Sequence, residues 1–380
     1  MRILFTGGGS GGHIFPIIAV RQTFEGLELP EKEREIRFYY LGPDKFAQEN
    51  MAKEGIKTRF ILSGKLRRYF SLKSPLDIAK ILFGIFQSFL YLFVWMPDVI
   101  FSKGGYGSFP VVFVGWIYHI PIILHESDST PGLANRVLAK FARKIILSFP
   151  KSREAFGKHQ NKTIVIGNPV RKELLEGNVT EARQIFKISS QKPVILILGG
   201  SQGAQKINEM VINTLPRLME MAEIIHICGE NDYPALQKEI QETPGYRLYP
   251  FLPAQELKHA YAVADLIINR AGAGSIFEIA ALGKPSILIP LSGAAADHQR
   301  KNAFDFAGTD QKTDEGRTIV LDQENLSPNM FLEQISKLLN NPEKLKTLGQ
   351  KAKEFYSTDV AQKIRDEILN VAMRKDKIAK

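Results

Sequence analysis

His13 ends a stretch in which five of six residues are glycine, Gly7-Gly8-Gly9-Ser10-Gly11-Gly12, and that stretch follows a short apolar segment. Glycine permits a tight turn and lets main-chain N–H groups come close to a ligand. A helix starting near residue 13 adds the positive end of its dipole. Together they suit a phosphate or another oxygen-rich group, and an imidazole titrating near pH ~6.5 can take a proton there at neutral pH. A second run, Gly199-Gly200-Ser201-Gln202-Gly203-Ala204, follows the apolar segment 194–198. It precedes a helical pattern with Ile207, Val211, Leu215 and Leu218 on one face. One such loop is equally a turn in any α/β domain. Two of them, half a chain apart, predict two domains on similar plans with a ligand between them. Neither loop has the glycine spacing of a dinucleotide fingerprint, and the first lacks the Gly-Lys-Ser/Thr ending of a P-loop.

The elements that must carry these residues read as short apolar strands alternating with helices. In the first part of the chain strands are expected at 3–5, 36–41, 58–62, 99–102, 122–124, 145–148 and 163–166. In the second they are expected at 194–198, 224–228, 247–250, 266–269, 286–289 and 318–320. Most are continuous apolar runs without alternation, as in a parallel sheet covered on both faces. In open parallel sheets ligands sit beyond the carboxyl ends of the strands. The polar and glycine-rich residues gather there: Lys103-Gly104-Gly105-Tyr106, His125-Glu126-Ser127-Asp128, Gly167–Arg171 and Arg270–Ser275 with Glu278 one turn on, and Asp297-His298-Gln299.

With 380 residues, the chain can hold two α/β domains with full cores. Its formal charge of +10 fits nucleic acid, phosphorylated metabolites or an anionic membrane. The absence of zinc-finger spacing, an RNA-recognition signature or a Lys/Arg tract argues against nucleic acid. The single cysteine, Cys228, allows no internal disulfide and suits a reducing compartment. The N-terminus reads as strand and glycine turn rather than as a leader. No stretch is read as reaching the ~18 apolar residues of a membrane span. The nearest, 81–95, is interrupted by Gln87 and Ser88 and ended by Pro97.

Taken together, the loops resemble the MurG family, the peripheral membrane transferases that add N-acetylglucosamine to the lipid-linked muramyl-peptide precursor of peptidoglycan. The matching stretches, in order, are 8–16; Gly104-Gly105-Tyr106 with Ser108 and Pro110; His125-Glu126, Gly132-Leu133 and Asn135; 167–171; 199–204; and 275–290, centred on Glu278-Ile-Ala-Ala-Leu-Gly-Lys-Pro285. The resemblance covers essentially the whole chain. It implies an α/β GT-B fold, two Rossmann-like domains with parallel sheets facing across a cleft. Residues 1–167 would bind the acceptor and face the membrane, 168–355 would bind the UDP-sugar, and 356–380 would form a helix returning to the first domain. The donor would be UDP-N-acetylglucosamine and the acceptor lipid I. Other cell-wall synthesis proteins are further expected partners. The expected location is the cytoplasmic face of the bacterial inner membrane.

The resemblance also implies residue roles. Glu278 would bind the ribose hydroxyls, and Phe251 and Leu252 would flank the uracil, with main-chain groups of Leu252 reading its edge. Ser201 and Gln202 would grip the diphosphate, Arg171 the nucleotide end, and Gln299 the donor sugar. Ser10, Gly11, Gly12, His13, Tyr106, His125, Glu126, Asp128 and Asn135 would line the acceptor side. The chain departs from the family pattern at Ser127-Asp128, where many relatives have Gln-Asn. Asp128 is then either an additional proton acceptor or a turn residue.

Sugar transfer needs a base for the acceptor hydroxyl, and His13 is the first candidate, with His125 beside Glu126 as the rival. No Asp-x-Asp or clustered ligands call for a protein-held metal, so no cofactor is expected beyond Mg²⁺ accompanying UDP. A UDP-N-acetylglucosamine 2-epimerase on the same fold is the rival enzyme. A silent nucleotide-sugar or lipid-binding module would need no base. The run 81–95 carries one stripe of Ile78, Ile81, Leu82, Ile85, Phe89 and Leu92 and a second of Phe83, Phe86, Leu90 and Phe93. With Arg67 and Arg68 nearby, an anionic bilayer is the expected contact of Phe83, Phe86 and Leu90. A core helix is the alternative.

Overall fold

The computed structural model describes residues 1–8, 11–27, 35–64, 74–199, 204–240, 243–293, 297–308 and 316–378. The chain divides into two units, Met1–Pro169 with Asp359–Lys380, and Val170–Thr358.

The first unit contains β1 (Arg2–Thr6), α1 (Gly11–Gln22), β2 (Arg37–Gly42), α2 (Lys45–Lys53), β3 (Lys57–Phe60) and α3 (Ser74–Trp95). It continues with β4 (Val99–Ser102), α4 (Phe109–Ile117), β5 (Ile122–Glu126), α5 (Leu133–Leu138), β6 (Lys144–Leu147) and β7 (Thr163–Val165). The strands form one parallel sheet in the order β3-β2-β1-β4-β5-β6-β7. Ile3, Leu4, Phe5, Ile100, Phe101, Ile123 and Leu124 are fully buried, because both sheet faces are covered. The order reverses between β1 and β4, and the crevice for a ligand in such a sheet opens at that point.

The second unit repeats the plan. It contains α6 (Val179–Ile185), β8 (Val194–Leu198), α7 (Gln205–Met221), β9 (Glu223–Ile227), α8 (Tyr233–Glu239), β10 (Tyr246–Tyr249) and α9 (Ala254–Val263). Then follow β11 (Leu266–Asn269), α10 (Ala273–Leu282), β12 (Ser286–Leu288), α11 (His298–Ala307), β13 (Ile319–Val320), α12 (Pro328–Leu339) and α13 (Pro342–Glu354). Its parallel sheet runs β10-β9-β8-β11-β12-β13. Ile207, Val211, Leu215 and Leu218 of α7 pack with Phe331 and Ile335 of α12 in one core. The last helix, α14 (Val360–Ile378), belongs to the first unit. Arg365 Nη1 donates to the carbonyl of Thr23 at 2.9 Å, and Lys144 pairs with Glu367.

At α3 one sequence expectation is corrected and another holds in part. First, it begins at Ser74, with proline in its first turn, and Pro75–Trp95 is long and apolar enough to cross a membrane by length and composition. Second, the stripe read from the sequence holds in its C-terminal half, where Leu92 is buried and Ile85 and Phe89 pack against the core. Gly84, Ser88, Leu92 and Trp95 point inward, while Ile78 and Leu82 are exposed. The polar residues that break the apolar run serve this packing. Ser88 Oγ donates to the carbonyl of Gly84 at 2.7 Å, and Gln87 Oε1 accepts the N–H of Leu62 at 2.8 Å. A Cβ on Gly84 would lie 1.9 Å from the Leu62 carbonyl oxygen, so only glycine allows this approach. Solvent meets Leu82, Phe83, Phe86, Leu90, Phe93 and Val94 instead.

Candidate functional site

Loops from the carboxyl ends of β1, β4 and β5 meet at the switch point of the first sheet. After β4, Gly104 and Gly105 both have positive φ, +76° and +78°. A Cβ on Gly104 would fall 1.8 Å from Asn135 Oδ1. The turn is held by Asn135 Oδ1, which accepts the N–H of Gly105 at 3.2 Å, and by Ser102 Oγ, which accepts the N–H of Gly104 at 3.1 Å. Ser108 Oγ donates to the Gly104 carbonyl at 2.7 Å. Asn135, on α5, also donates from Nδ2 to Glu126 Oε2 at 2.7 Å. Glu126 Oε1 accepts the N–H of Asp128 at 2.9 Å. Glu126 is buried, and burial, followed by the nearby charge of Asp128, raises its pKa. Both of its oxygens nonetheless accept from N–H groups, the arrangement of a carboxylate. The Asp128 N–H bond makes that residue part of a turn.

His13 lies in the first turn of α1, half-buried. Its Nδ1 lies 3.2 Å from the carbonyl oxygen of Lys103. A carbonyl only accepts, so Nδ1 carries the hydrogen and the neutral ring keeps its lone pair on Nε2. That nitrogen faces the Gly105 Cα, 3.8 Å from where a Cβ would stand. Burial, and then the positive charge of Lys103, holds His13 below the usual imidazole value. Gly11 is buried against the Phe15 ring, Gly12 is exposed, and Tyr106 is half-buried with its carbonyl accepting from Ser63 Oγ at 2.7 Å. Ser10 lies outside the described residues.

His125 has a different setting. It is fully buried, and both ring nitrogens are engaged. Nε2 donates to the Gly167 carbonyl at 3.1 Å and lies 3.2 Å from Ser148 Oγ, while Nδ1 faces Lys103 Nζ at 2.9 Å. Burial and the Lys103 charge keep its pKa well below the ordinary value. No ring nitrogen is left to face an acceptor hydroxyl. Lys103, absent from the sequence-derived site residues, is the group that fills this interior. Its Nζ also contacts Ser127 Oγ and lies 3.2 Å from Asn168 Oδ1. The only signal for it in the sequence was its position before Gly104-Gly105.

The second unit holds a separate constellation at the carboxyl edge of its sheet. Glu278 projects from α10, whose N-cap is Gly272. Its Oε2 accepts from Tyr261 Oη at 2.8 Å, and Arg171 Nη2 lies 3.9 Å from Oε1. Burial raises the Glu278 pKa against Arg171 and Tyr261, which both favour the charged form. Phe251, beyond β10, is 50% exposed and offers a ring face, whereas the side chain of Leu252 is buried. Gln299, in the first turn of α11, is oriented by its Oε1, which accepts the N–H of Leu291 at 3.0 Å. Asn269, at the end of β11, is buried, and neither side-chain amide atom is hydrogen-bonded among the described residues. Ser201 and Gln202 lie outside the described residues. Among the described residues, no three His, Cys, Asp or Glu side chains are grouped to hold a metal.

Two doubly wound parallel sheets, each with polar loops at its switch point, define the GT-B fold. The glycosyltransferase family 28 N-terminal domain matches residues 3–147, and the C-terminal domain of that family matches residues 194–364. A Bacillus cereus protein named UDP-N-acetylglucosamine–N-acetylmuramyl-(pentapeptide) pyrophosphoryl-undecaprenol N-acetylglucosamine transferase 2 is 40% identical over 352 residues, 92% of this chain and 95% of that protein. A transferase of the same name, without the numeral, from Legionella pneumophila is 37% identical over 361 residues, 94% of each chain. The crystal structure of Acinetobacter baumannii MurG superposes with a TM-score of 0.72 at 24% identity, covering 97% of this chain and 99% of that one. A UDP-GlcNAc 2-epimerase from Neisseria meningitidis shares the fold at a TM-score of 0.68 and 15% identity, over 97% of this chain and 100% of that one. The chain belongs to the MurG family.

Proposed function

We propose that this enzyme transfers N-acetylglucosamine from UDP-N-acetylglucosamine to lipid I, forming β-1,4-linked lipid II with inversion at the anomeric carbon. The observation that carries the reading is the His13 tautomer. The Lys103 carbonyl fixes Nδ1–H, and Nε2 is left as an acceptor beside the Gly104-Gly105 turn. In the reaction the acceptor hydroxyl gives its proton to His13 Nε2 as its oxygen bonds to the anomeric carbon. The bond from that carbon to the UDP oxygen breaks, and its electron pair leaves with UDP. His13 then releases the proton to solvent. A single displacement of this kind converts an α-linked donor into a β-linked product. Glu126 and Asn135 hold the glycine turn in place, and His125 supports it from within.

On the donor side, Glu278 is suited to a bidentate grip on vicinal ribose hydroxyls, with Tyr261 and Arg171 fixing the carboxylate. Phe251 offers a ring to the base, and Gln299 an amide to the sugar. Ser201, Gln202 and the α10 N-terminus would meet the diphosphate. Any Mg²⁺ would arrive with the nucleotide. The acceptor is membrane-borne, so the exposed apolar side of α3, with Trp116 and Ile117 of α4, would lie on the cytoplasmic leaflet; Arg67 and Arg68 lie outside the described residues. The test is incubation of the purified chain with UDP-N-acetylglucosamine and a lipid I analogue, followed by identification of the product.

A further inference from the structure

Lys103 is a buried ammonium group with no carboxylate in contact among the described residues. Its three donors meet three neutral acceptors: His125 Nδ1 at 2.9 Å, Asn168 Oδ1 at 3.2 Å, and Ser127 Oγ. Ser127 Oγ in turn donates to Asn168 Oδ1 at 3.1 Å, so its lone pairs are the ones turned to the lysine. The three acceptors come from β5, from the loop after β5, and from the loop after β7. The lysine's own carbonyl accepts from His13 on α1. One residue therefore joins the end of β4 to β5, the loop after β5, the loop after β7 and α1. Ser127, which departs from the family pattern, is one of its direct contacts.

We propose that Lys103 is a positioning residue for sugar transfer: its ammonium group binds the ends of β5 and β7 together through His125, Ser127 and Asn168, while its carbonyl holds His13 in the tautomer that leaves Nε2 free. This deepens the function proposed above and rests on it. An ammonium in this place has an electrostatic consequence as well. The charged and titratable groups facing it are His13 from α1, His125 and Glu126 from β5, and Asp128 from the following loop. Burial pulls Lys103 down to about 7, against the charges of Glu126 and Asp128. Its charge, while present, disfavours a second positive charge on His13. As pH rises through about 7 the ammonium is lost, and the tie among the loops weakens with it. Transfer would therefore have an acidic limb set by His13 and an alkaline limb set by Lys103.

Two variants of the full chain test this. Lys103→Met keeps the chain length and the carbonyl but removes the charge. Charge-assisted hydrogen bonds of this kind correspond to a loss of about 10- to 100-fold, expected in kcat with the acceptor. The KM for UDP-N-acetylglucosamine stays as it was, because the donor grip is in the other unit. The ¹⁵N titration of His13 moves up toward the ordinary imidazole value. Asn168→Asp places an opposite charge beside Nζ, which moves the alkaline limb up by about one pH unit. Wild-type kcat and an unshifted His13 titration in Lys103→Met would overturn the proposal. If that variant does not fold, an unmoved alkaline limb in Asn168→Asp would overturn it. The histidine titration needs no turnover. A wild-type chain that transfers no sugar therefore refutes the functional reading alone.

Discussion

At the residue scale, the account depends on which histidine has a lone pair to give. His13 does, by the Lys103 carbonyl, and His125 does not, because Gly167 and Lys103 occupy both nitrogens. A positioned base contributes roughly 10²- to 10⁴-fold. His13→Ala is expected to lower kcat by that order with little change in either KM, and steady-state kinetics would check it. A base must be neutral in the free enzyme, and burial and Lys103 hold the His13 pKa below its ordinary value. Activity should therefore persist below pH ~6.5 and fall only as pH drops through the depressed value, read as the acidic limb of kcat/KM. For Glu278→Ala the expectation is a raised donor KM and weakened preference for ribose over deoxyribose donors. An unchanged KM with preserved discrimination would remove Glu278 from ribose binding. The sequence made His13 and Glu278 legible because each follows a glycine loop at a strand end. Lys103 was hidden: burial and three neutral partners distant in sequence define it, and no spacing encodes them.

At the element scale, all thirteen strands among the described residues were legible. Strands covered on both faces must be apolar throughout, and runs such as 194–198 and 266–269 show that directly. The orientation of α3 was legible in part: Phe83, Phe86, Leu90 and Phe93 are exposed, and Ile85, Phe89 and Leu92 of the other stripe take the inner face. That face was chosen by Gly84 and Ser88, which admit the Leu62 backbone and bury nothing large. The exposed side leads to a prediction. Phe83, Phe86 and Leu90 are 55%, 57% and 53% exposed, so replacing all three with Ser should leave the fold intact. Apolar insertion is not screened by salt, whereas basic residues near an anionic surface act only within about a Debye length. The triple variant should lose vesicle co-sedimentation mainly at high salt while using a short-chain soluble acceptor nearly normally. Equal vesicle binding by variant and parent would place the membrane contact elsewhere. The Gly104 turn is a second test. Gly104→Ala forces a Cβ against Asn135 and a strained φ, itself costing about 1–3 kcal/mol. Lowered Tm together with lowered kcat is expected, and a variant equal to wild type in both would show that the turn tolerates a side chain.

At the scale of the whole molecule, two sheets with the same winding each carry one half of the chemistry. In the proposed mechanism the first supplies a base and its supports, and the second a carboxylate grip for the nucleotide. The same fold also serves an epimerase, so architecture alone does not choose the reaction. The measurement that does so most directly is product analysis with the purified chain, UDP-N-acetylglucosamine and a soluble-tail lipid I analogue. The account predicts one N-acetylglucosamine added per acceptor, a β anomeric coupling in the product by NMR, and UDP released in equal amount. Conversion of UDP-N-acetylglucosamine to its 2-epimer, or hydrolysis with the acceptor left unchanged, would contradict it.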